Sequence, residues 1–100
     1  AASKAALLAY MKNTASLVAR HGIRMNAVSP GNIFFEGGTW DRKLREDRTA
    51  VERYIGEQVP LGRFGTPEEI ARVVCFLASD ASAFITGANV IIDGGQTRGP

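Results

Sequence analysis

The sequence predicts an α/β chain with a parallel pair of strands that belongs to a larger sheet. Three observations carry this. Helical and strand patterns follow one another in the order helix, strand, helix, helix, strand. The two strand candidates are short and apolar, and the stretch between them is long enough for the helical crossover that parallel strands need. Two strands alone do not make a stable parallel sheet, so further strands are expected beside them. The opening Ala1-Ala2-Ser3-Lys4 is already helical in composition, with neither Met nor an apolar leader, so the chain is expected to be a piece of something longer.

The first element is a helix over 2–20. It is rich in Ala and Leu, lacks Gly and Pro, and meets a stop at His21-Gly22. At 100° per residue, Leu7, Leu8, Tyr10, Met11, Ala15, Leu17 and Val18 fill one broad apolar arc, with Lys4 near its middle. Ile23–Ser29 is a strand closed by Pro30-Gly31. Residues 32–40 form a loop with Phe34, Phe35, a Gly pair and Trp40. A helix is expected over 41–58, with Leu44, Val51, Ile55 and Val59 on one stripe. Asp41/Arg45, Arg42/Glu46, Lys43/Asp47 and Arg48/Glu52 are its i,i+4 pairs. Residues 60–65 link it to the next helix. There Thr66 caps, Pro67 suits the first turn and Glu69 completes a capping box. That helix runs to about Ala78 and is expected to bury Ile70, Val73, Val74 and Leu77, with Phe76 off the stripe. A turn over 79–87 leads to the strand 88–92, ended by Asp93-Gly94-Gly95.

The chain has 100 residues, 45% of them hydrophobic and 22% charged. That length is one domain at most, and the composition is that of a globular chain with a core. Twelve basic residues against 10 acidic give a net charge of +2. So even a balance points to neither nucleic acid nor an anionic membrane. No apolar run approaches the roughly 18 residues of a membrane span. One Cys and one His leave no disulfide framework and no Cys/His zinc site within the chain. A lone Cys fits a reducing, cytoplasmic setting, and Cys75 reads as a partly buried apolar residue.

No phosphate-loop, nucleophile-elbow or zinc-protease motif is present. His21 sits at a helix end that favours a cation anyway. Glu68 and Glu69 are explained as first-turn acids, and the alternating charges of 41–53 as a solvated helix face. Lys4 is different. An ammonium in the middle of an apolar arc is costly unless something answers it. The competing reading is that it snorkels off the first turn, and periodicity alone does not decide between the two.

Ala1-Ala2-Ser3-Lys4-Ala5-Ala6-Leu7 resembles the stretch that follows the catalytic Tyr in the short-chain dehydrogenase/reductase family. There Tyr-x-x-x-Lys lies on one helix and commonly continues as ASKAAL. Residues 22–31 (GIRMNAVSPG) resemble the family's strand and cofactor loop. Residues 60–71 resemble its PLGRxGxPEEIA segment, and 76–95 its FLASD…ITG…VDGG ending. Each block is weak alone. Together, in family order over nearly the whole chain, they are specific, and closest in form to the 3-oxoacyl-carrier-protein reductases.

The resemblance implies the C-terminal portion of a doubly wound, Rossmann-type fold, with 1–100 a single partial domain and 32–59 a substrate loop and lid helix. It implies an oxidoreductase that uses NAD or NADP to interconvert an alcohol and a carbonyl, assembled as a dimer or tetramer. The catalytic Tyr falls one residue before Ala1, and the glycine-rich dinucleotide loop lies further upstream. The 100-residue chain alone is therefore expected to be inactive. Lys4 is the retained catalytic residue. A free Tyr has a pKa of about 10. An ammonium about 4 Å away, at an effective dielectric of about 20, favours tyrosinate by roughly 4 kcal/mol, an upper figure. The resemblance also gives Lys4 the nicotinamide ribose hydroxyls, and makes Pro30, Gly31, Asn32 and Ile33 the cofactor loop. The family usually has Thr five residues after that Pro. Here the position is Phe35, which leaves the carboxamide to backbone at Ile33. Phe34, Phe35 and Trp40 are candidates for an apolar substrate pocket or for plain loop packing. No metal is implied. Two rivals stand beside this reading: an enoyl-reductase-like member with a different Tyr–Lys spacing, and a truncated assembly module without activity.

Overall fold

A computed structural model describes residues 2–97. The order is α1 (Ala2–Val18), β1 (Ala27–Pro30), α2 (Thr39–Glu46), α3 (Arg48–Gln58), α4 (Pro67–Ala78) and β2 (Asn89–Ile92). Short 3₁₀ turns occupy Ala19–His21 and Asp80–Ser82. β1 and β2 pair in a two-stranded sheet. The Ala27 N–H donates to the Ala88 carbonyl at 2.8 Å, and Gly31 to Ile92 at 2.9 Å. The same sequence offset at both places makes the pair parallel, as expected. Among the described residues, no helix is long and apolar enough to cross a membrane. The contacts group into two compact units, 2–29 with 73–90, and 30–72 with 91–97.

In the first unit, α1 ends earlier than the predicted 2–20 because its last turn tightens to 3₁₀. Gly22, at φ 73°, then closes a Schellman motif. Its N–H donates to Ala19 and that of Ile23 to Val18. Along the apolar arc only Ala15 is buried, while Leu7, Tyr10 and Leu17 are 65–71% exposed.

The strand expected from Ile23 starts only at Ala27. The physical reason is that side chains take over part of the ladder, beside the Gly87 N–H that donates to the Met25 carbonyl at 2.8 Å. Met25 donates to Thr86 Oγ1 at 3.1 Å, Ala88 donates to Asn26 Oδ1 at 2.9 Å, and Asn26 Nδ2 donates to the Ile85 carbonyl. Arg24 spreads its fork over Ser82 Oγ and the carbonyls of Ile85 and Ser79. Ser82, 1% exposed, lies with its hydroxyl 2.8–3.1 Å from the carbonyl oxygens of Phe76, Leu77 and Ser79. A cation among carbonyls at the end of α4 is electrostatically favoured. Of the α4 stripe, Leu77 is buried, whereas Val74 is 47% exposed, against expectation. Cys75 is exposed rather than partly buried.

In the second unit, the single helix expected over 41–58 is two. Asp47 leaves helical geometry at φ −156°, ψ 87°, and its side chain caps α3 by accepting the Ala50 N–H at 3.1 Å. The Lys43/Asp47 pair is replaced by this cap; the other three predicted pairs close at 3.2–3.9 Å. The helix also begins two residues early, at Thr39, and shortens the loop. Val51, Ile55 and Val59 form the core, covered by Trp40, Leu44 and Phe64. At Thr66 the capping box forms in both directions, Glu69 N–H to Thr66 Oγ1 at 3.2 Å and Thr66 N–H to Glu69 Oε1 at 3.0 Å.

Candidate active site

Lys4 stands in the first turn of α1 and is exposed. Among the described residues, no carboxylate lies within ion-pair distance of it. Ala1, which precedes the motif's Ala2-Ser3-Lys4, falls outside the described residues.

The predicted cofactor loop belongs to the second unit. Pro30 ends β1 and Gly31 follows, both exposed. They lie at the carboxyl end of the strand, where open α/β sheets bind their ligands. Lys4 offers an exposed ammonium within the first unit, and Pro30-Gly31 an exposed backbone edge within the second.

Gly31 has a reason inside the chain as well. A Cβ there would stand 2.6 Å from the Cβ of Asp93 and 2.8 Å from its Cα, closer than any side chain tolerates. Asn32 and Ile33 are held at both sides. The Gly65 N–H donates to the Asn32 carbonyl, and Phe34 to that of Gly65, each at 3.0 Å, in a parallel bridge. The Asn32 amide donates to Gln96 Oε1 at 2.7 Å. Asn32 and Ile33 line a cavity of about 90 Å³ together with Arg63, Glu69 and Asp93. That is well below the roughly 300–1,000 Å³ of small-molecule sites.

Two carboxylates at this cavity are strongly bonded. Arg63 forks onto both oxygens of Glu69 at 2.9 Å. That bond, with the Thr66 N–H, holds the Glu69 carboxyl at about 2, far below its ordinary 4.5. Asp93 accepts the N–H groups of Thr97 at 2.8 Å and Gly95 at 3.0 Å; bonding from the Thr97 side chain first, and from these N–H groups, pulls its pKa down. Sequence reasoning marked Asp93 only as the end of the last strand, and did not reach Gln96. Gln96 stands 64 residues from the loop residue it bonds, and no local pattern announces such a partner.

The aromatic residues are packed to different degrees. Phe34 and Trp40 both touch Phe64, with centroids 5.9 and 5.3 Å apart. Trp40 also stacks on Tyr54 at 5.5 Å, with Lys43 over its ring. Phe35 is 54% exposed and lies over Gly38, where a Cβ would meet its ring at 2.8 Å. Among the described residues, no group of three or more His, Cys, Asp or Glu could hold a metal.

A family model described as enoyl-(acyl carrier protein) reductase matches residues 1–97. The 3-oxoacyl-[acyl-carrier-protein] reductase of Thermotoga maritima is 47% identical over 98 residues, covering 95% of this chain and 36% of that protein. The solved structure of 4-hydroxyisoleucine dehydrogenase complexed with NADH is similar with a TM-score of 0.84 at 35% identity, over 99% of this chain and 39% of that one. An NADPH-bound short chain oxidoreductase from Pseudomonas aeruginosa PAO1, described as containing an atypical catalytic center, gives 0.83 at 34%, with 99% and 38% covered. The chain belongs to the short-chain dehydrogenase/reductase family, and its α/β architecture is that of a portion of the family's Rossmann-type fold. It spans 36–39% of the length of these relatives.

Proposed function

We propose that this segment works within a longer NAD- or NADP-dependent oxidoreductase that interconverts an alcohol and a carbonyl. The observation that carries the reading is Lys4, on the exposed first turn of α1, in a chain whose family match runs through residues 1–97. When bound, the dinucleotide supplies hydride transfer. Lys4 donates to the ribose hydroxyls and favours the deprotonated form of a Tyr four positions upstream, on the same helix face. The backbone of Pro30, Gly31, Asn32 and Ile33 borders the nicotinamide. Phe34, Phe35 and Trp40 border the substrate, under the cover of α2 and α3. A cytoplasmic location follows from the same reading.

Assembly with a second copy is part of the proposal. Leu7, Tyr10 and Leu17 leave an exposed apolar strip on α1 that a partner would cover. Light scattering at micromolar concentration is expected to give dimers or larger. A monomer at all concentrations would overturn this part.

The kinetic test uses the longer enzyme. Lys4→Ala and Lys4→Met are expected to lower kcat/KM by about 10²–10⁴, the scale of lost acid–base support. Near-normal activity in either would make Lys4 structural. A polypeptide of these 100 residues alone is expected to turn over no NAD(P)H, and measurable turnover would contradict the reading. Reduction of an enoyl double bond is a second reading, favoured by the description of the matching family model. Assaying 3-oxoacyl against enoyl thioesters separates the two.

A further inference from the structure

The loop that the proposed function assigns to the dinucleotide is held by residues far away in sequence. On one side it pairs with Gly65, whose neighbour Thr66 is locked in the capping box with Glu69. On the other side stands the turn 93–97. Asp93 closes that turn through the N–H groups of Gly95 and Thr97, and its backbone passes so near Gly31 that only glycine fits. The turn is itself anchored, because Leu61 donates to the Gly94 carbonyl at 3.0 Å. Gly94, at φ 65°, leaves no room for a Cβ, which would meet Val59 Cγ1 at 2.7 Å. Gln96 is thereby presented to the loop by a rigid turn, and its Oε1 takes the Asn32 amide at 2.7 Å.

We propose that Gln96 is a positioning residue for dinucleotide binding: by accepting from Asn32 it fixes the backbone of 31–33 before the nicotinamide arrives. The inference rests on the proposed function for the identity of the ligand, but not for the coupling of Gln96 to the loop. A loop ordered in advance binds without the entropy cost of ordering it. Removing Gln96 therefore weakens binding, whereas hydride transfer in the bound complex changes little. Loss of one side-chain hydrogen bond sets the expected size at about fivefold.

The test is made in the longer enzyme, by NADH and NADPH titration and by residue-resolved amide exchange without dinucleotide. Gln96→Met keeps the length and loses the acceptor. It is expected to raise the dinucleotide Kd about fivefold, to leave kcat within about twofold, and to speed exchange at the Phe34 and Gly65 N–H groups. Gln96→Glu keeps an acceptor oxygen and is expected to stay within about twofold of the parent in Kd. Equal weakening by Met and Glu, or unchanged exchange in Gln96→Met, overturns the inference. If the parent binds neither dinucleotide, the proposed function falls, and the exchange measurement still decides what Gln96 does for the loop.

Discussion

In the unit of 2–29 and 73–90, side-chain hydrogen bonds at Arg24, Asn26, Ser82 and Thr86 tie turns and strand ends together. The unit of 30–72 and 91–97 has such bonds too, but adds an apolar core: Val51, Ile55 and Val59 lie under Trp40, Leu44 and Phe64. The first unit leaves the apolar side chains of its longest helix exposed; the second buries its stripe. Apolar side chains left in a row on a helix are a surface for something else. The contrast shows why hydrophobic pattern alone overstates a core. Periodicity states which residues share a face, not whether that face is covered.

Core truncation should separate the two units most sharply. Ile55→Ala, at a site only 4% exposed, is expected to destabilise the second unit by about 2–5 kcal/mol. Leu17→Ala, 67% exposed, should stay within about 0.5 kcal/mol. Denaturant unfolding followed by the fluorescence of Trp40 reads the first, because that residue is the chain's single Trp and covers the Ile55 core. Equal losses at the two sites would abolish the distinction drawn here.

A smaller effect is expected at the polar centre of the first unit. Ser82→Ala removes the hydroxyl between Arg24 and the carbonyls that end α4. The cost should be about 1–3 kcal/mol, since those groups lose a buried partner. Faster amide exchange at Ile85 and Gly87, which bond within this network, would report it. No change there would mean that Arg24 holds the turn without the serine.

Acid sensitivity should fall on the second unit. Asp41, Glu69 and Asp93, whose pKa values are all lowered, belong to it. Glu69 is lowered from 4.5 to about 2, so the stability it contributes is complete above 4.5 and disappears as the pH falls towards 2. Glu69→Gln should flatten the dependence of the Trp40 unfolding midpoint on pH across that window. A slope identical to the parent's would show that the Arg63–Glu69 pair, largely open to solvent, contributes nothing measurable.

How much was legible in advance follows the range of the interactions. The stop at Gly22, the capping box of Thr66 and Glu69, and the stripe of Val51, Ile55 and Val59 are set by residues within a few positions of one another. Local rules therefore found them, and the family motifs proposed Lys4 and the Pro30–Ile33 loop as the candidate site. The break at Asp47 is local too, but there a cap competes with the Lys43 ion pair, and pattern alone does not rank the two. The rest was decided by partners some 55–64 residues away: Arg24 on Ser79 and Ser82, Asn26 on Ile85, Asn32 on Gln96. The sequence by itself determined the element types, the Gly22 stop, the Thr66 cap and the family. Only the tertiary structure decided where β1 begins, which apolar faces are covered and what holds the loop at Asn32, because each depends on a contact whose second half no local window contains.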